Sequence, residues 1–251
     1  MTNSINHSLD VDTTVVICVG EGHVNSKREH NVPMCFAIKS SRFLQSALSG
    51  EGMKSGEKRV SLPATDWREF KVYLEWFYTG HIVTHDTLPF RGRTVLRLYL
   101  MGDSLGDDHF SNAVVDILIR DCGSCAMILY SADVDLIWTN TLPGNNLRKL
   151  LVELIIRNVG EDHGSPWFFE RGTWSHDVTA EVFARLSESK KVAIEMSART
   201  KDSKNINQAI LSAVAHPKDN KDKCASYHKH SEGNPRCTVD QQQTITWRIC
   251  G

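Results

Sequence analysis

The chain has 251 residues, 41% of them hydrophobic and 24% charged, with a formal net charge of −1. That make-up suits a globular chain with a substantial core, and it leaves no overall basic field to draw the protein to nucleic acid. The longest apolar runs, such as Val15 to Val19, are far too short to span a bilayer. Met1 to Asp12 is polar and lacks the apolar stretch of a signal peptide. The seven cysteines are therefore expected as reduced thiols in an intracellular setting, cytoplasm or nucleus.

Residues 1–12 are expected as a disordered N-terminus. Thr14–Val19 reads as a strand, followed by a Gly20-Glu21-Gly22 turn, a polar loop and a second strand ending at Pro33. A helical pair comes next, with Phe43, Leu44, Ala47 and Leu48 facing inward and Gly50 as the stop. Lys58–Leu62 reads as the third strand, ended by Pro63. Asp66 then caps a helix, and Glu69 falls three residues on, at the capping-box position. Phe70, Tyr73, Leu74 and Phe77 recur at helical spacing, so this helix has a large apolar face. Gly80 suits the left-handed position that closes it, and Ile82-Val83 reads as the start of a further strand. Val95, Leu98, Tyr99 and Leu105 mark the next helix. Asp107 or Asp108 caps the one after, which buries Phe110, Val114, Ile117 and Leu118.

From residue 122 to 203 the chain reads as nearly all helix. Leu147, Leu150, Leu151, Leu154 and Ile155 form one apolar stripe, and Val178, Val182, Phe183 and Leu186 form another. Residues 204–251 are a polar tail, with one short helix at Ile206–Ala215 and an open linker at Pro217–Asp222. No internal repeat is visible.

The segment "SLPATDWREFKVYLEWFYTG" resembles the BTB/POZ domain, in its strand, its helix and its closing aromatic-Tyr-Thr-Gly. So do the first strand, Thr14 to Gly20, the Asn31-Val32-Pro33 and Ser41-Arg42-Phe43-Leu44 signals, and "LRLYLMGDSLGDDHFSNAVVDILI". Their order over about a hundred residues is similar to that of BTB proteins abundant in filamentous fungi. "TLPGNNLRKLLVELIIRNV" and "WFFERGTWSHDVTAEVFARL" resemble the C-terminal helices of those proteins. The resemblance implies an α+β fold class, a small sheet with surrounding helices at residues 13–121. An all-helical extension follows at 122–203 and a partly disordered tail at 204–251.

It also implies a non-catalytic scaffold or adaptor that presents surfaces to itself, as a homodimer, or to a protein partner. Its settings in the family are ubiquitin-ligase assembly and transcriptional regulation. Cullin-binding members carry a hydrophobic-x-Glu motif before the third strand. The matching positions here are Met53-Lys54-Ser55, so Ser55 replaces the glutamate, which argues against cullin binding.

The sharpest chemical constellation lies in the tail, at Cys224, His228, His230 and Cys237. Two cysteines and two histidines can complete a tetrahedral zinc site. Against this, the spacing is not that of a common finger, and His-x-His puts the two rings on opposite sides of a strand. The plain alternative is a polar tail that happens to hold them. Cys122-Gly-Ser-Cys125 is a CxxC, but it follows a helix with no parallel-strand pattern before it. A thiol redox enzyme is thus the less favoured reading. Gly20-x-Gly22 lacks the third glycine of a phosphate cradle and reads as a hairpin turn. No enzyme activity and no resident cofactor other than zinc is expected.

Overall fold

The computed structural model describes residues 13–20, 27–49, 58–83, 91–122, 127, 129–160, 174–200 and 223–231. Over these residues the protein is mostly helical with one small three-stranded mixed sheet, an α+β arrangement.

Strand β1 (Thr14–Val19) is the middle strand, with sheet order β2-β1-β3. Its run of Val, Ile and Cys is apolar at every position after Thr14, as suits a strand covered on both faces. Val15, Ile17 and Val19 enter the main core. Cys18 faces the other way, beneath Arg59, whose Nη1 lies 3.1 Å from Cys18 Sγ and 2.6 Å from Glu29 Oε1. Strand β2 (Arg28–Pro33) pairs antiparallel with β1, Thr14 opposite Pro33 and Val19 opposite Arg28. Its sequence, Arg-Glu-His-Asn-Val-Pro, has little strand propensity. Pairing with β1 makes it a strand, and its edge position tolerates the polar side chains. Strand β3 (Arg59–Leu62) lies parallel on the other side of β1.

Helices α1 (Met34–Ser40) and α2 (Arg42–Ser49) are separated by the buried Ser41. Ser41 Oγ accepts from the Leu44 N–H at 3.0 Å and donates to the Leu105 carbonyl at 2.6 Å. The inward positions of α2 are Leu44 and Leu48, one turn apart. Phe43 does not point inward as its apolar character led us to expect, and is 42% exposed. Being next to Leu44, it is rotated by about 100° from the buried line.

Helix α3 (Trp67–Thr79) has its expected ends. The Asp66 side chain accepts from the Arg68 N–H at 2.8 Å. Gly80 closes the helix at φ 70° and donates its N–H to the Trp76 carbonyl. Glu69 does not close a capping box but turns to Arg97 of the following helix. Phe70 and Tyr73 are buried, together with Val72, while Leu74 and Phe77 are part-buried against the core. Residues 81–83 form no strand, although Ile82 is buried. The side chain is drawn into the core, and among the described residues no strand lies beside it for its backbone to pair with.

Helices α4 (Arg91–Leu105) and α5 (Asp108–Cys122) pack closely on one another. Asp107 is the cap between them, its Oδ1 accepting from the Phe110 N–H at 2.9 Å. Helices α6 (Ser131–Asn140), α7 (Asn146–Gly160) and α8 (His176–Thr200) follow. The predicted stripe of α7 is buried throughout. In α8, Val178 is buried and Val182 and Leu186 are part-buried, but Phe183 is 64% exposed, outside the stripe assigned to it. One apolar cluster runs from the sheet through α4, α5, α6 and α7 to Val178, without interruption at residue 121.

The last described element is the short helix α9 (Lys223–Tyr227), which packs on α7. Residues 223–231 of the polar tail are therefore a docked segment. The expectations for residues 1–12, Gly50, Ser55, the helix at Ile206–Ala215 and the linker at 217–222 lie outside the described residues. No described helix is long and apolar enough to cross a membrane.

Candidate functional site

The tail candidates separate into two groups. Cys224, His228 and His230 come together, while Cys237 lies outside the described residues. Helix α9 brings Cys224 and His228 to one side by its i, i+4 spacing, with the His228 N–H donating to the Cys224 carbonyl at 3.2 Å. The chain then leaves the helix and carries His230 back, so that Cys224 Sγ and His230 Nε2 are 3.1 Å apart. One ligand atom from each of the three lies within 4.8 Å of the others. A tetrahedral zinc centre with sulfur at about 2.3 Å and nitrogen at about 2.0–2.1 Å has edges of about 3.4–3.8 Å. Around an ion the widest pair of the cluster would close by about 1 Å and the Cys224–His230 pair would open by about 0.5 Å. The objection that His-x-His splits the rings across a strand fails, because residues 228–230 are not a strand. The two rings sit with centroids 6.3 Å apart.

The body of the protein holds this segment in place. His228 is buried, and its Nε2 lies 3.1 Å from Asp116 Oδ1 on α5. Asn112, one turn earlier on α5, grips the backbone of Lys229 twice. Its Oδ1 accepts from the Lys229 N–H and its Nδ2 donates to the Lys229 carbonyl, each at 2.8 Å. Asn146, at the start of α7, donates to the His228 carbonyl at 2.6 Å. Tyr227 is buried and donates its hydroxyl to Glu153 of α7. The Lys229 ammonium pairs with Asp103 of α4. The Ser231 N–H donates to Asp108 Oδ2 at 2.9 Å. Burial opposes the charge on Asp108, but the bonds from Ser231 and the nearby Arg42 outweigh it and hold its carboxyl below the usual range.

None of these partners was legible beforehand. Asn112, Asp116, Asn146 and Glu153 lie between 74 and 117 residues from the groups they hold. They read as ordinary polar positions on amphipathic helices, and only the docking of the tail gives them a common target.

Two other surface features lie apart from the tail. A shallow open cleft of about 380 Å³ is lined by Glu69, Arg93, Arg97, Leu100, Ser104 and neighbours. Its charges are paired within the fold, Arg97 with Glu69 and Arg93 with Asp133 at 3.7 Å. Burial raises the carboxyl of Glu69 above its ordinary value, with Arg97 working against the rise. Of the hydroxyls in its lining, Ser104 donates to the Met101 carbonyl of its own helix at 2.8 Å. The second feature is a surface cluster of aromatic rings. Phe36 of α1 meets Phe77 and Tyr78 of α3 edge-on, with centroids 5.5 and 6.3 Å apart, and Tyr78 is 55% exposed.

Cys122 is the last residue of α5, and its CxxC partner Cys125 lies outside the described residues. No protein-family model matches the chain, and no curated protein matches it.

Proposed function

We propose that the chain is a protein–protein interaction module with a BTB/POZ-like core, serving as a scaffold or adaptor without catalysis of its own. The resemblance of residues 13–121 to that domain supports this, as do the sheet order β2-β1-β3, the α1–α2 pair and the capped aromatic helix α3. The observation that carries the reading is the aromatic cluster of Phe36, Phe77 and Tyr78, which leaves ring surface open to solvent. Aromatic side chains held rigidly at a surface supply large contact area at low entropic cost, and they are enriched at the centres of protein interfaces.

The test is a pull-down from cell extract with the full chain, compared with the Phe36→Ala/Tyr78→Ala double variant. Light scattering would record self-association of both. The double variant is expected to lose its captured partner, or its dimer, while keeping its far-ultraviolet circular dichroism. Unchanged capture and unchanged mass would remove this surface from the proposal. Cullin is not the favoured partner, because Ser55 stands where the cullin motif has glutamate.

A second reading is that the chain binds zinc through its tail. The convergence of Cys224, His228 and His230 favours it. A thiolate with two imidazoles is a donor set of the borderline softness that suits this ion.

A further inference from the structure

We infer that the zinc site and the docking of the tail are one device, in which the ion fastens residues 223–231 as a clasp across α5 and α7. This rests on the zinc reading and goes beyond it. A tail that chelated zinc by itself would need only its own three side chains. Here the ligands are oriented by groups of the body. Asp116 Oδ1 lies 3.1 Å from His228 Nε2. With Nε2 turned to a carboxylate, a histidine offers Nδ1 to the ion, which gives the carboxylate–histidine–metal arrangement. Asn112 fixes the backbone between the two histidines with its paired bonds to Lys229. Those bonds set the turn that returns His230 to within 3.1 Å of Cys224 Sγ.

The burial pattern agrees. Cys224 and His228 are buried and His230 is part-buried, so the cluster sits at the seam between tail and body. Chelation in the undocked tail would have to order the turn without Asn112 and orient His228 without Asp116. Docking therefore raises metal affinity, and by linkage the metal strengthens docking by the same factor. Removal of zinc would loosen the clasp and uncover the polar face formed by Asn112, Asp116 and Asn146.

The test uses the full chain. Cobalt(II) titration reports thiolate ligation through its sulfur-to-metal charge-transfer band. Competition with a chromophoric chelator gives the zinc affinity. Amide hydrogen exchange of residues 223–231, with and without zinc, reads the docking. The band is expected in the native chain and not in Cys224→Ser. Asp116→Asn is expected to weaken zinc binding about 10–100-fold, the usual cost of losing such an orienting partner. Asn112→Ala touches no ligand, yet the loss of its two bonds is expected to weaken binding about tenfold. Zinc is expected to slow exchange across 223–231 in the native chain.

If no thiolate band forms, or if Cys224→Ser keeps it, the zinc reading falls and the clasp with it. If the band depends on Cys224 but both Asp116→Asn and Asn112→Ala, folded by circular dichroism, bind zinc within about twofold of the native chain, the tail chelates by itself. The clasp is then overturned and the zinc reading stands.

Discussion

Replacing Asp107 by alanine tests how the aromatic helix α3 is tied to the α4–α5 pair. Asp107 is buried and has two partners for one carboxylate. Oδ1 accepts from the Phe110 N–H at 2.9 Å, the N-cap bond of α5, and Oδ2 accepts from the Tyr73 hydroxyl of α3, also at 2.9 Å. Loss of an N-cap costs about 0.5–2 kcal/mol. The Tyr73 hydroxyl would be left buried without this acceptor, which adds about 1–3 kcal/mol. The expected loss for Asp107→Ala is therefore about 1.5–5 kcal/mol, a fall in Tm of about 2–4 °C for each kcal/mol in a chain of this size. Urea unfolding followed by tryptophan fluorescence measures it, since Trp76 stacks on Tyr73 with centroids 6.1 Å apart. Asp107→Asn keeps an oxygen for the Phe110 N–H and an amide for the Tyr73 oxygen, so it should lose less.

The pH dependence separates the native chain from either variant. Burial raises the Asp107 carboxyl above its ordinary 3.8, with the Phe110 and Tyr73 bonds acting the other way. A raised folded-state value means that the folded protein holds this proton more tightly than the unfolded chain. The stabilisation from that proton is fully present below about pH 4 and is lost as pH rises through the folded value. Asp107→Asn should remove this acid-side gain, and the native-minus-variant stability difference should shrink as pH rises from 4 towards neutrality. A loss below about 0.5 kcal/mol in Asp107→Ala, the range of an ordinary surface change, would refute the account of this network.

Gly102 lies in the last turn of α4, where a Cβ would come 2.8 Å from Phe110 Cδ1 and 2.7 Å from Ser111 Oγ. Gly102→Ala should therefore destabilise, by about 1–3 kcal/mol of overpacking less about 1 kcal/mol of helix propensity gained, and a more stable variant in thermal unfolding would contradict the close approach of α4 and α5. The adjacent pair Phe43 and Leu44 should respond oppositely to truncation. Leu44→Ala is expected to cost about 2–5 kcal/mol. Phe43→Ala should stay within about 1 kcal/mol in the same urea assay, and equal losses would put Phe43 back in the core.

Local patterns determined much of this protein from its residues alone. The short continuous apolar run at Thr14–Val19, the Asp66 cap with its Gly80 stop and the 3.6-residue stripes of α5 and α7 are each set by chain neighbours, so spacing reveals them. Where an outcome depended on a distant partner, the pattern failed. Ile82-Val83 reads as a strand but forms none, because no described strand offers its backbone an edge. Phe43 and Phe183 are apolar residues placed outside the buried lines by the rotation of their helices, which packing alone sets. The same division holds for the candidate site. Residue type singled out Cys224, His228 and His230, because few side chains can hold a soft cation. Only the tertiary structure decided that they converge. The Asn112, Asp116 and Asn146 side chains that hold the segment reach it from helices far away in the chain, and no periodicity carries a signal across that distance.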